Sequence, residues 1–144
     1  MELKIQVTKT SDAQIPQYAH DGDSGVDLFA AEEYELKPME RHLISTGLKI
    51  AIPQGYEAQV RPKSGLAINH GISVINTPGT IDSSYRGEVK VLMVNLGQES
   101  YKVEPGKKIA QMVFAKVEKA IFEESQDLNS TTRGEGGFGS TGLN

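Results

Sequence analysis

A chain of 144 residues with a formal net charge of −4, 38% hydrophobic residues and no cysteine fits one packed domain, since at this length roughly 70% of the surface of the unfolded chain is buried on folding. The cysteine count excludes disulfides and thiolate metal sites, and His20, His42 and His70 are too scattered for a zinc cluster, so any metal must be held by oxygen. The acidic balance argues against sequence-independent binding to a nucleic-acid duplex, which needs a basic face, and no nucleic-acid partner is expected.

The first residues, Met1-Glu2-Leu3-Lys4-Ile5-Gln6, alternate charge with apolar side chains and lack the apolar run of a signal peptide. No later stretch approaches membrane-spanning length, so a cytoplasmic protein with no membrane partner is expected. Leu3, Ile5 and Val7 read as a strand by their period of two. After the Asp21-Gly22 turn comes Ser24-Gly25-Val26-Asp27-Leu28, where Val26 and Leu28 share a face. Asp27 points the other way, as a ligand or as a solvated strand residue. Lys37-Pro38 marks the next turn, Leu48/Ile50/Ile52 the next strand, and Pro53-Gln54-Gly55 its end.

Arg61-Pro62-Lys63-Ser64-Gly65-Leu66-Ala67 leaves a strand and opens a short helix, Ser64 to Asn69, with Ser64 as N-cap and Gly71 as the stop. Free amides at a helix N-terminus attract anions, so Lys63, the Ser64 hydroxyl and the Gly65 amide read as a phosphate cradle or as an ordinary cap beside solvated charges. Thr77-Pro78-Gly79 then turns into Gly79-Thr80-Ile81-Asp82-Ser83-Ser84-Tyr85-Arg86-Gly87-Glu88-Val89. Here a carboxylate and an aromatic ring stand three residues apart on a turn, so Asp82 and Tyr85 can face one cavity. Gly79 and Gly87 let the backbone approach a ligand closely.

Val89/Val91/Met93 and, on the opposite phase, Leu92/Val94/Leu96 make a strand apolar on both faces, suited to the sandwich centre or to a subunit contact. Turns at Leu96-Gly97 and Glu104-Pro105-Gly106 precede Gly106-Lys107-Lys108-Ile109-Ala110-Gln111-Met112, where the amide of Gln111 needs a partner, a backbone carbonyl being the plainest. From Ser125 to Asn144 the apolar periodicity gives way to Ser, Thr, Asn and Gly, and Phe138 sits among Gly134, Gly136, Gly137, Gly139 and Gly142. This tail cannot form a core. Two phosphate-loop patterns within it lack the helix that must follow them. Arg133, Phe138, Ser140 and Thr141 nonetheless supply a cation, a flat ring and hydroxyls, which suit a lid over a nucleotide. The expected architecture is all-β: a distorted jelly roll or β-sandwich of many short strands with one short helix. Residues 1–124 form a single β domain, and 125–144 a flexible Gly-rich arm.

These segments, in this order and spacing over roughly residues 23 to 142, resemble the motifs of the trimeric deoxyuridine triphosphatases (dUTPases). The resemblance implies hydrolysis of dUTP to dUMP and pyrophosphate, which limits uracil in DNA and supplies dUMP for thymidylate synthesis. It assigns Asp82 to the water that attacks the α-phosphate and Tyr85 to the sugar. Asp27 would reach Mg²⁺ through water, while Lys63, Ser64, Gly65 and Gln111 would meet the phosphates. Asn76 would contact the nucleoside, with Gly79 also at the substrate. Arg133 would clamp the γ-phosphate, and Phe138 would lie over uracil, with Gly139, Ser140 and Thr141 beside it. Lys63, Ser84 and Lys108 stand where Arg, Asp and Arg are commoner in the family. A homotrimer with shared sites is also implied, the arm closing over the site of a neighbour.

A backbone edge in a hairpin from Ile72 to Ile81 would tell uracil from cytosine, since mismatched donors and acceptors cost about 10⁴-fold or more. A dCTP deaminase of related fold would need a carboxylic residue at the base, which no matched position clearly supplies. A non-catalytic nucleotide-sensing or protein-binding module on the same scaffold is the alternative from another class, and a jelly-roll structural protein with no small ligand would leave the polar content of these segments unexplained.

Overall fold

The computed structural model describes residues 2–142. Ten strands and one short helix follow in the order β1 (Gln6–Lys9), β2 (Val26–Phe29), β3 (Tyr34–Leu36), β4 (Arg41–Ala51), β5 (Tyr56–Arg61), α1 (Ser64–His70), β6 (Ile72–Val74), β7 (Gly79–Ile81), β8 (Glu88–Asn95), β9 (Tyr101–Val103) and β10 (Lys108–Lys116). They form one four-stranded sheet in the order β1-β4-β8-β6, a second in the order β2-β10-β5-β7, and a two-stranded ladder of β3 and β9. Every pairing of strands is antiparallel. This is the all-β jelly-roll sandwich expected from the alternating runs.

Period-two side chains fill the space between the two large sheets. Ile44, Leu48, Val89, Val91 and Met93 from the first sheet join Val26, Leu28, Ala58, Val60 and Met112 from the second in one core. Burying a large aliphatic side chain is worth about 1.5–3 kcal/mol, so this shared core fixes which face of each strand looks outward. The outward face of the second sheet carries Asp27, Gln111 and Arg61.

Four local expectations are corrected. Leu3, Ile5 and Val7 do not share one strand: β1 begins at Gln6 and takes in only Val7, all four of its residues are exposed, and Leu3 and Ile5 are half-buried outside it. Ser64 is not the N-cap of α1, because Lys63 holds that place in an extended conformation (φ −96°, ψ 130°) with no side-chain capping bond. Gly71 does close the helix, left-handed at φ 69°, its N–H bonding back to Ala67. The segment from Ile72 to Ile81 is not a paired hairpin. β6 joins β8 in the first sheet and β7 joins β5 in the second, so residues 75–78 cross from one sheet to the other, and both strands are sheet edges. Nor is Asp27 solvated: it is 6% exposed, in a strand whose first three residues are all buried.

Candidate active site

Register brings three of the sequence segments together. Gln111 of β10 lies opposite Asp27 of β2 on one side and Arg61 of β5 on the other, which places Asp27, Gln111 and Arg61 in one lateral row on the outer face. Beyond Arg61 the chain turns through Pro62 and Lys63 into α1, and Gln111 Nε2 donates to the Pro62 carbonyl at 3.1 Å. That bond gives the half-buried amide its partner and leaves its carbonyl oxygen free to accept from a ligand. Gly25 makes room for it: a Cβ there would stand 2.8 Å from Gln111 Oε1.

Lys63 donates to Asp27 Oδ1, and Lys108 Nζ lies 3.2 Å from Asp27 Oδ2. Lys108 reaches this face because the register with β2 slips between Lys108 and Ala110, so that Lys108 lies opposite Phe29 and Gln111 opposite Asp27. A bulge of this kind re-aims a side chain that strict alternation would point elsewhere. Its sequence signal is the consecutive pair Ile109-Ala110, both buried, at the start of an otherwise alternating strand. Burial alone would raise the pKa of Asp27; the hydrogen bonds and charges of the two lysines outweigh it and hold the carboxyl below its ordinary value. Ser64 and Gly65 stand exposed beside this cluster in the first turn of α1, with open space where a Gly65 Cβ would be.

The Asp82 turn lies elsewhere. Gly79 is level with Val60 and Ile81 with Ala58, so continuing along β7 puts Asp82 about four residues, or roughly 13 Å, along the strand direction from the row of Arg61 and Gln111. Asp82 is exposed, and Tyr85 N–H donates to its carbonyl at 3.1 Å. The Tyr85 hydroxyl donates to the Glu88 carbonyl at 2.7 Å, which holds the ring over Gly87. Arg86 braces the same turn by donating to the Ser83 and Tyr85 carbonyls at 2.7 and 3.0 Å. Glu88 ties the turn to β4, accepting from Ser45 Oγ at 2.6 Å and from Gly47 N–H at 3.0 Å. Asn76 is exposed in the crossing segment, and its Nδ2 lies 3.3 Å from where a Gly79 Cβ would be.

The tail stands apart from both. Beyond Lys116 the described residues form no strand or helix, and residues 131–142 run through short turns, with Ser140 N–H bonded to the Gly137 carbonyl and Gly142 N–H to that of Gly139. Arg133 Nε donates to the Gly136 carbonyl at 2.7 Å. Phe138 is fully exposed at φ 53°, and Ser140 and Thr141 are exposed with it. Within one chain, then, Asp27, Lys63, Ser64, Gly65 and Gln111 converge, whereas Asp82 with Tyr85 and the Arg133 to Thr141 stretch form two separate groups. Lys108 belongs to the first group and was missing from the expected site residues.

Among the described residues no three His, Cys, Asp or Glu come together to cage a metal. One buried carboxylate beside one amide oxygen fits instead a hard cation carried on phosphates and met through its waters. Nor does any helix of the described residues reach the length and apolarity needed to cross a membrane.

The dUTPase family matches residues 11–142. The deoxyuridine 5'-triphosphate nucleotidohydrolase of Clostridium kluyveri is 59% identical over 142 residues, spanning 99% of both chains. That of Clostridium novyi is 58% identical over 142 residues, 98% of this chain and all of the relative. The dUTPase of Staphylococcus bacteriophage 80alpha, solved with dUPNHPP, superposes with a TM-score of 0.90 at 27% identity, covering 97% of this chain and 99% of that one. With its fold, its polar segments and these relatives in agreement, the chain belongs to the dUTPase family of nucleotidohydrolases.

Proposed function

We propose that this protein hydrolyses dUTP to dUMP and pyrophosphate as a homotrimer whose sites each draw residues from more than one chain. The row of Asp27 and Gln111 beside Lys63 and Ser64 carries this reading, because it gathers cations, a hydroxyl and an amide where a polyphosphate needs them. Lys63, the Ser64 hydroxyl, the Gly65 amide and Gln111 bind the phosphates and hold them in line for attack. Asp82 orients the attacking water and accepts its proton. Tyr85 lies flat beneath the deoxyribose and leaves no room for a 2'-hydroxyl. Asn76 and the free edge of β7 from Gly79 face the base, pairing the uracil carbonyl and N–H. Mg²⁺ delivered on the triphosphate would be held through water by Asp27, and it supplies charge neutralisation at the phosphates.

The separation of Asp82 from the phosphate row, roughly 13 Å along the strand direction, supports assembly from several chains, since a neighbour's Asp82 set beside the row would bring the aimed water and the phosphate ligands to one phosphorus. So does an apolar cleft of about 690 Å³ lined by Leu3, Ile5, Ile15, Tyr18, Met112 and Phe114, none of them a candidate site residue. The tail offers matching groups, Ile121 at 91% and Phe122 at 94% exposed, which a second copy's cleft would cover. Arg133, Phe138, Gly139, Ser140 and Thr141 of the arm then close over the nucleotide and exclude water. The product would feed thymidylate synthesis and the reaction would keep uracil out of DNA, in the cytoplasm, which cell fractionation tests.

Pyrophosphate release measured in parallel with dUTP, dCTP, dTTP and UTP tests the reading. It predicts release from dUTP far above the others and its loss in Asp82→Asn. Ammonia release from dCTP without pyrophosphate would replace it with the deaminase.

A further inference from the structure

Asp27 is the one charged side chain buried among the described residues, and it faces two cations, Lys63 on Oδ1 and Lys108 on Oδ2. The carboxylate lies inward and the ammonium groups outward: the Lys63 side chain is 29% exposed and that of Lys108 51%. We infer that Asp27 is the resting counter-ion of Lys63 and Lys108, and that an arriving triphosphate takes both lysines from it, which makes Lys108 a phosphate ligand alongside Lys63. This rests on the proposal that the cradle holds the triphosphate.

Three physical points support the exchange. Lysine carries a compact charge on a flexible four-carbon stem with rotatable donors, so it can change partners by rotating its own side chain, whereas an arginine fork seated on a carboxylate gives up two parallel bonds at once. A triphosphate presents several negative charges against the single charge of Asp27, so it is the stronger partner for both ammonium groups. Once they leave, a nearly buried carboxylate without a cation is strongly unfavourable. Its relief is a divalent cation in place of the two lysines, so nucleotide and divalent ion bind with positive, reciprocal coupling. Before the nucleotide arrives the same carboxylate is engaged by both ammonium groups, and one anion against two cations leaves the cluster with a net positive charge that favours a polyphosphate.

The exchange gives a sign that simple ligand loss does not. Removing the resting partner should tighten metal-free nucleotide binding. Calorimetric titration with the imido analogue dUpNHpp in EDTA, on wild type, Asp27→Asn, Lys108→Met and the double variant, reads it directly. Asp27→Asn is expected to bind about tenfold tighter than wild type, the equivalent of about 1.4 kcal/mol, and Lys108→Met more weakly. In the Lys108→Met background the gain from Asp27→Asn should shrink to about threefold or less, because half of the released charge is gone. Equal or weaker binding by Asp27→Asn, or an undiminished gain in the Lys108→Met background, overturns the exchange; the latter is what plain charge repulsion by Asp27 predicts.

Should Asp27→Asn fail to fold, ¹³C-dimethyl-lysine NMR on wild type decides. The Lys63 and Lys108 signals, assigned by their loss in Lys63→Arg and Lys108→Arg, must shift on adding dUpNHpp in EDTA, and unmoved signals refute the proposal. Failure of the underlying site assignment looks different. In that case Lys63→Met and Gln111→Ala would leave dUpNHpp affinity in Mg²⁺ unchanged.

Discussion

At one end of the β2-β10-β5-β7 sheet, Asp27 is buried with both oxygens engaged by lysines, and Gln111 is bonded to the chain that leads into α1. At the other end Asp82 and Tyr85 stand exposed on a turn that is tied to the first sheet through Glu88, and beyond both runs a tail with Phe138 fully exposed. The first region pairs its buried carboxylate within the fold, whereas the Asp82 carboxylate and the Phe138 ring face outward. A buried polar cluster must be completed within the fold because unpartnered charge in the core is costly. Groups that act on a ligand or on another chain can stay open until that partner arrives. On the proposed function, the first region supplies binding charge and the other two supply chemistry and closure.

The sharpest way to break that division is Asp82→Asn. We expect turnover to fall about 10³-fold, within the range of a lost general base, while dUpNHpp affinity measured by calorimetry stays within about threefold of wild type, the cradle being untouched. A matching loss of affinity would put Asp82 among the binding groups. Removal of the chain from Arg133 onward comes next. It should lower kcat about 100-fold through loss of positioning and water exclusion, with the melting temperature unchanged, since none of residues 133–142 belongs to the core. A large fall in melting temperature would make the tail structural.

A smaller effect separates sugar recognition from catalysis. Tyr85→Ala should raise the UTP to dUTP ratio of kcat/KM about tenfold, the order expected when one steric contact guards a small group. Gly87→Ala should move the same ratio less, because its Cβ would sit 2.6 Å from Tyr85 Cζ and 2.9 Å from Cε1 and push the ring aside. An unchanged ratio in both would mean another residue guards the sugar.

The smallest effect concerns acid stability. Burial raises the pKa of Asp27 and of Glu88, but the lysines on Asp27, and the Ser45 hydroxyl and Gly47 N–H on Glu88, outweigh it and leave both depressed from 3.8 and 4.5. Depressed carboxylates contribute stability that is fully present above those values and lost as pH falls through the folded ones. Melting curves should therefore show Asp27→Asn and Glu88→Gln less stable than wild type at neutral pH, with the difference closing in acid. A gap that persists unchanged below pH ~3 would contradict this linkage.

Much of this was legible in the chain. Alternation at Leu48/Ile50/Ile52 and Val89/Val91/Met93 marked strands because one face of each packs on a single core. Gly71, Gly55 and Gly106 marked turns because their backbones are left-handed there. What stayed hidden depended on pairing. The lysine partners of Asp27 follow from which strand lies beside β2 and from the slip near Ala110, and neither can be read from local periodicity. The apparent hairpin at Ile72 to Ile81 failed for the same reason: turn residues show that the chain bends, not which sheet receives it. The short strands β3 and β9, of three residues each, give too little alternation to stand out.

Subunit complementation probes the division most directly. Asp82→Asn and Lys63→Met/Gln111→Ala, each inactive alone, are mixed, unfolded in urea, refolded together and assayed for pyrophosphate release from dUTP. If the carboxylate of one chain serves the phosphate cradle of another, the mixture regains activity well above either variant refolded alone. If every site is built within a single chain, the mixture stays as inactive as its components, and shared sites are excluded.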